Sequence, residues 1–406
     1  MKHIYDFNLK EFVNIDLYID FFEIFLKDNH ILKKDFFAKT DICANSYRFF
    51  LSHREKNRYY YYDIISNAYN MYLPKEEEFT ELSNEYSKII EDILYRRLDQ
   101  LEANRKIIDD VRLRNNSDND DKIHSMEVIL FEGLNVLLSL NLDKIEDNEK
   151  IEILQKYLDK VSPYEPILPN IFMLIHVMNL IYYNALTNKV IVNDLMDKAF
   201  SLVQNYQFLE PFLYKVISDA YVHSSDYINA ILFRMKSYDG FIQVYNFQSA
   251  IPIKIETAYI YNLMGSYYNA SQTLNQMYLS LNTFEMEHKK SICRGIIEAD
   301  ICLGKFKSAY KFMEKNEQYL DGLEYQIEKL YVLLKLRMFD QFHILYDLLI
   351  DKKMDDSYKS VLFGIYSLLD QSLKKHTKLK EFSRSVQQIN DITFRKICKI
   401  IFDLKK

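Results

Sequence analysis

A chain of 406 residues, 49% of them apolar, is long enough to bury the cores of two or three domains or one repeat array. Seven glycines and six prolines are too few turn formers for an all-β or α/β fold, which needs a tight turn after almost every strand. The net charge of −6 hides a local reversal: between residues 31 and 60, seven Lys/Arg stand against three acids, about +4, and the remainder carries about −10. A basic window on an acidic chain suggests local contact with a polyanion.

The opening "MKHIYDFNLKEF" has no apolar h-region, so no signal peptide is expected. Residues 1–72 read as short helical segments around the basic window "KKDFFAKTDICANSYRFF" (33–50). With Asp41 at a turn, Phe36 and Phe37 fall on a first helix, Ile42 follows the turn, and Tyr47 and Phe50 face inward from a second helix. That is the apolar spacing of a helix-turn-helix. Asp41 stands where glycine is common, Thr40 where an aliphatic is usual, and Cys43 where Ser or Thr often caps the second helix. On this frame Ala44, Asn45, Ser46 and Arg48 lie early on the second helix, where base edges would be met. His53 and Arg54 continue toward its end or beyond, and Lys33, Lys34 and Lys39 sit on the first helix, which would cross the phosphate backbone. Asn and Arg read base edges, whereas Lys mostly neutralises phosphate. The alternative is a solvated charged face on an ordinary three-helix bundle. The run "YYYY" (59–62) is expected to divide between core and surface around a helix.

Residues 73–122 read as a helical connector. Within it, 78–115 form one or two long helices with Ile89, Ile90, Ile93, Leu94, Leu98 and Leu101 at helical spacing, and 115–121 form a polar, acidic loop. From 123 to 406 amphipathic helices follow one another with short polar breaks. The acidic run 145–150 reads as a solvated helix start. The apolar run "IFMLIHVMNLIYY" (171–183) is too short for a membrane span and reads as a buried helix.

Four junctions recur: "SSDYINA", "MGSYYNA", "LGKFKSA" and "LRMFDQF". Each pairs an aromatic with a close-packing residue three positions on: Tyr227/Ala230, Tyr267/Ala270, Phe306/Ala309 and Phe339/Phe342. The aromatics are 40, 39 and 33 residues apart, and Gly265 and Gly304 sit two residues before the middle two. A glycine ends one helix in the left-handed conformation, the aromatic fills the elbow, and a small residue lets the next helix approach. Such hairpins bury their faces only by stacking. Over residues 210–350 the sequence resembles degenerate tetratricopeptide repeats. Two junctions lack the glycine, and one has Phe342 where a small residue belongs. The expected fold is all-α: a helix-turn-helix domain followed by a right-handed α-solenoid of tetratricopeptide-like hairpins. In such repeats the first helix of each pair lines a concave groove. Counting back from each junction places Lys215, Asp219, Tyr259, Asn262, Arg294, Glu298, Tyr331 and Lys335 there. Amides, cations and tyrosines suit an extended peptide. The bland alternative is that individual members face solvent or pair with one another.

A helix-turn-helix, a helical connector and tetratricopeptide-like repeats in this order resemble the RRNPP-type peptide-pheromone-responsive regulators, which include the quorum-sensing receptors of Firmicutes and the arbitrium receptors that govern phage lysis and lysogeny. The resemblance implies a cytoplasmic homodimer that binds a double-stranded DNA operator and a short linear signalling peptide. The interface is expected in the helices of 356–405, with Phe363, Tyr366, Leu368 and Leu369 as apolar candidates. The competing reading is a tetratricopeptide-like interaction scaffold or response-regulator inhibitor that does not bind DNA. No nucleotide-binding loop, HExxH or GxSxG is present, and nine histidines are dispersed, so neither catalysis nor a cofactor or metal is expected. Cys43, Cys293, Cys302 and Cys398 are scattered and read as reduced thiols.

Overall fold

The computed structural model describes residues 15–52, 58–69, 76–95, 97–114, 126–204, 206–369, 384–389 and 392–402. Every regular element among them is helical, so the fold is all-α. The chain divides into two compact units, Met1–Ser224 and Ser225–Lys406. The expected boundaries near 72 and 122 both lie inside the first unit, and 115–121 lies outside the described residues.

The first unit begins with α1 (Ile15–Asp28), α2 (Lys33–Thr40), α3 (Ala44–Leu51) and α4 (Arg58–Tyr69). In α1 the stripe Tyr18, Phe21, Phe22 and Phe25 is buried, and Phe22 meets Tyr62 of α4 edge-on at 5.3 Å. Aromatic pairs add directional attraction to the area they bury. Tyr59 to Tyr62 divide as expected, with Tyr62 buried and Tyr60 exposed. The connector becomes two helices, α5 (Glu76–Leu94) and α6 (Leu98–Arg114). Their elbow is closed by the buried Asp92 carboxylate, which accepts from Arg97 Nη1 at 3.1 Å and Asn104 Nδ2 at 2.9 Å. Such satisfaction is what allows a buried carboxylate to persist.

Then come α7 (Met126–Leu142), α8 (Asp147–Val161), α9 (Asn170–Asn188), α10 (Asn193–Val203) and α11 (Glu210–His223). The apolar run 171–183 is the buried α9, against which α8, α10 and α11 pack. The acidic run starts α8, with Asp147 and Glu149 in its first turn, where carboxylates favour the helix dipole. The four-helix start is tied to this layer: Tyr164 stacks on Phe21 at 5.3 Å and donates to Asp28 Oδ2 at 3.1 Å.

The second unit is a run of antiparallel hairpins: α12 (Tyr227–Gln243), α13 (Phe247–Met264), α14 (Tyr267–Tyr278), α15 (Met286–Cys302), α16 (Phe306–Lys315), α17 (Leu323–Lys335), α18 (Phe339–Ile350) and α19 (Asp356–Ser367). After residues 384–389 comes α20 (Ile392–Ile401). Each junction aromatic is the first residue of its helix: Tyr227 of α12, Tyr267 of α14, Phe306 of α16 and Phe339 of α18. The partner residues Ala230, Ala270, Ala309 and Phe342 are all fully buried.

The elbows share one backbone solution. Gly265 and Gly304 adopt φ of 83° and 71°, and where glycine is missing Ser225 and Arg337 take φ of 65° and 59° at the same offset. At Gly265 the next amide, Ser266, reaches back to the Tyr261 carbonyl at 2.9 Å; at Arg337 the Met338 amide does the same to Leu333 at 3.0 Å. These are the paired bonds of a left-handed helix ending. First helices of successive hairpins touch, α13 with α15, α15 with α17 and α17 with α19, as stacked hairpins require.

Candidate DNA-reading helix and repeat-face cluster

Two eight-residue helices meet at a tight turn in residues 33–51. Asp41 closes α2 in the left-handed region (φ 54°, ψ 22°), taking the conformation glycine would otherwise supply. Thr40 is buried, but its hydroxyl donates to the Phe36 carbonyl at 2.9 Å and accepts from the Ile42 amide at 3.4 Å. A polar residue therefore fits where an aliphatic is usual. Tyr47 of α3 packs on Phe36 and Phe37 of α2, with ring centroids 4.8 and 5.6 Å apart, and Ile42 and Phe50 are buried beside it. Cys43 caps α3, its sulfur accepting from the Ser46 amide at 3.5 Å and lying 3.2 Å from the Ser46 hydroxyl. Those contacts hold the thiol below its ordinary pKa.

The outer face of α3 carries what the inner face does not. Ala44, Asn45, Arg48 and Phe49 are exposed and Ser46 is half-buried, while Tyr47 and Phe50 point inward. Lys33, Lys34 and Lys39 are exposed on α2. Lys33 lies 3.9 Å from Glu23, and the Lys39 ammonium sits 4.0 Å over the Tyr69 ring. Among the described residues neither the Lys34 nor the Arg48 side chain has an ionic partner. His53 and Arg54 lie outside the described residues. Arg58, further along, pairs with Asp16 of α1.

The expected groove residues fall in both units. Lys215 and Asp219 are on α11 of the first unit and pair with each other at 3.2 Å. The other six lie on first helices of the second unit: Tyr259 and Asn262 on α13, Arg294 and Glu298 on α15, Tyr331 and Lys335 on α17. They are tied across helices. The Tyr259 hydroxyl donates to the Ser291 carbonyl at 3.1 Å, joining α13 to α15. Arg294 Nε is 3.0 Å from Glu298, and Arg294 Nη2 is 3.9 Å from Glu328 on α17. The Lys335 ammonium lies 5.2 Å from the Tyr331 ring centre.

Their burial is deeper than a solvated groove would give. Glu298 is 1% exposed, Glu328 is fully buried, and Asn262 and Tyr331 are buried; Lys335 alone of the six is exposed. Glu328 is the member that counting back from the junctions missed. Its signal in the sequence is a carboxylate three residues from Tyr325 and Tyr331 and four from Val332, so that it shares a helix face with three buried residues. Of the apolar candidates in 356–369, Phe363 is exposed (54%), whereas Tyr366 packs within the unit, 4.6 Å from Tyr346, and Leu368 and Leu369 are half-buried. Among the described residues no helix is long and apolar enough to cross a membrane.

Neither the protein-family models nor the curated proteins give a match. Among solved structures the chain is similar to one described as the crystal structure of NprR in complex with its cognate peptide NprX. Identity is 15% and the TM-score 0.46, over 82% of this chain and 99% of that chain.

Proposed function

We propose that this protein is a cytoplasmic, homodimeric transcriptional regulator that reads operator DNA with α3 and senses a short linear peptide with its second unit. The observation that carries the reading is the division of α3. Tyr47 and Phe50 anchor the helix, and Asn45 and Arg48 are left exposed on its opposite face, flanked by exposed lysines of α2. That arrangement suits base readout by α3 and phosphate contact by α2. For the peptide, the tyrosine, amide and charged residues shared by α13, α15 and α17 provide polar anchors on one face. Lys335 is better placed than Arg294 to take a peptide carboxylate, since Arg294 is already engaged by Glu298.

One observation favours the competing reading, an N-terminal bundle that binds protein: Phe49 is 52% exposed beside Arg48. An exposed aromatic suits a protein contact as well as a thymine methyl. A gel shift with DNA from upstream of the protein's own gene separates the two. The regulator retains that fragment against excess shuffled DNA, and a peptide encoded beside the gene alters the retention. Equal retention of both fragments, with no response to any such peptide, favours the scaffold.

A further inference from the structure

In a stacked array each element contacts its neighbours, so a C-terminal helix such as α20 should extend the stack. It does not. After residues 384–389 the chain returns, and α20 packs against α13 and α15, first helices of earlier hairpins. Phe394 of α20 also stacks on Tyr358 of α19, with centroids 6.0 Å apart. Among the described side chains of α20, Phe394, Ile397, Cys398 and Ile401 are buried, at the i, i+3, i+4 and i+7 spacing of one helix face. The opposite face shows Lys399 and Ile400 to solvent. Val386 and Ile389 join the same apolar cluster, which also contains Ile255 and Ala258 of α13 and Ile292 and Ile296 of α15. The Arg395 guanidinium clamps the approach by donating from Nε to the Ile389 carbonyl at 2.8 Å.

A short amphipathic helix laid by one apolar stripe across a pair of helices is the geometry by which grooves recognise helical ligands. We propose that the face of α13 and α15 is a helix-binding groove whose resident occupant is the chain's own α20, held there reversibly. A tethered occupant competes at an effective concentration of up to about the millimolar range, so it excludes weak ligands and admits strong ones. Tyr259 and Asn262 lie on α13 and Arg294 and Glu298 on α15, so a peptide bound through them meets α20 on the same two helices. That last consequence rests on the peptide-sensing reading; the groove and its occupant do not.

The test uses the full chain and, as probe, a fluorescent synthetic peptide of residues 392–402, "ITFRKICKIIF". In the wild-type chain the buried Cys398 should react with N-ethylmaleimide at least about tenfold more slowly than the exposed Cys43, and the probe should not bind. The variant Phe394→Asp/Ile397→Asp should expose Cys398 and bind the probe, with its helical circular dichroism retained. Hydrogen exchange on the wild type guards against a variant that fails to fold. A releasable α20 exchanges through local opening, at least about tenfold faster than α13 and α15. Exchange of α20 at the rate of α13 and α15, or a folded variant that exposes Cys398 and ignores the probe, overturns the proposal. Because the probe is the chain's own helix, failure of the signalling-peptide reading leaves this result untouched.

Discussion

Single residues carry unequal weight, and His176 shows how. It is fully buried on α9, with Nδ1 2.8 Å from the Phe172 carbonyl and Nε2 3.1 Å from the Gly133 carbonyl of α7. A neutral imidazole has one N–H, so it can donate to only one of them. Burial pulls its pKa from the ordinary 6.5 down to about 4, against the opposing pull of the two carbonyls. Between those values the unfolded chain binds a proton that the folded chain refuses. Stability is therefore retained above pH 6.5 and falls as the pH drops toward 4, by at most about 1.4 kcal/mol per unit. Urea denaturation at pH 7 and pH 5 checks this; His176→Leu should remove that share of the pH dependence. At the same scale, the basic window singles out Arg48 and Lys34 in the sequence because net charge is countable, and both are exposed in the structure. The burial of Glu298 and Glu328 was not legible, because it is set by neighbouring hairpins rather than by local pattern.

Elements were more legible than residues. The spacing of Tyr227, Tyr267, Phe306 and Phe339 marked four helix starts, because an aromatic filling an elbow and a partner three residues on form a local rule. The rule failed to show that the elbows lacking glycine keep the left-handed backbone. At Arg337 the φ of 59° is imposed by the two helices it joins, and no residue preference announces it. A non-glycine residue there costs on the order of 1 kcal/mol, part of which glycine's greater freedom in the unfolded chain offsets. Arg337→Gly should consequently raise stability by about 0.5 kcal/mol. A fall in the urea midpoint would show that the Arg337 side chain contributes more than its backbone costs. In the N-terminal turn, Asp41 fills the same role at φ 54°, which is why a missing glycine did not prevent the turn.

At the scale of the whole molecule, the all-helical fold followed from the scarcity of turn formers and the elbow repeat. The return of α20 to α13 and α15 did not, since contacts between helices so far apart in the sequence leave no periodic trace. That return alters where the interface of the proposed dimer would lie. The apolar stripe of α20 is spent within the unit, and Phe363 on α19 is left as the exposed candidate of 356–369. Phe363→Asp should convert a dimer to a monomer in sedimentation velocity without changing helix content, whereas a persistent dimer would move the interface off α19.

The central claim, that α3 reads bases while α2 holds phosphate, is tested most directly by comparing Arg48→Ala and Lys34→Ala on the cognate fragment and on shuffled DNA over a range of salt. Arg48→Ala should cost about 1–3 kcal/mol on the cognate fragment and leave binding to shuffled DNA nearly unchanged. Lys34→Ala should weaken both alike and reduce the salt slope by about one. If Arg48→Ala weakens both fragments equally, or affects neither, α3 is not a base-reading helix.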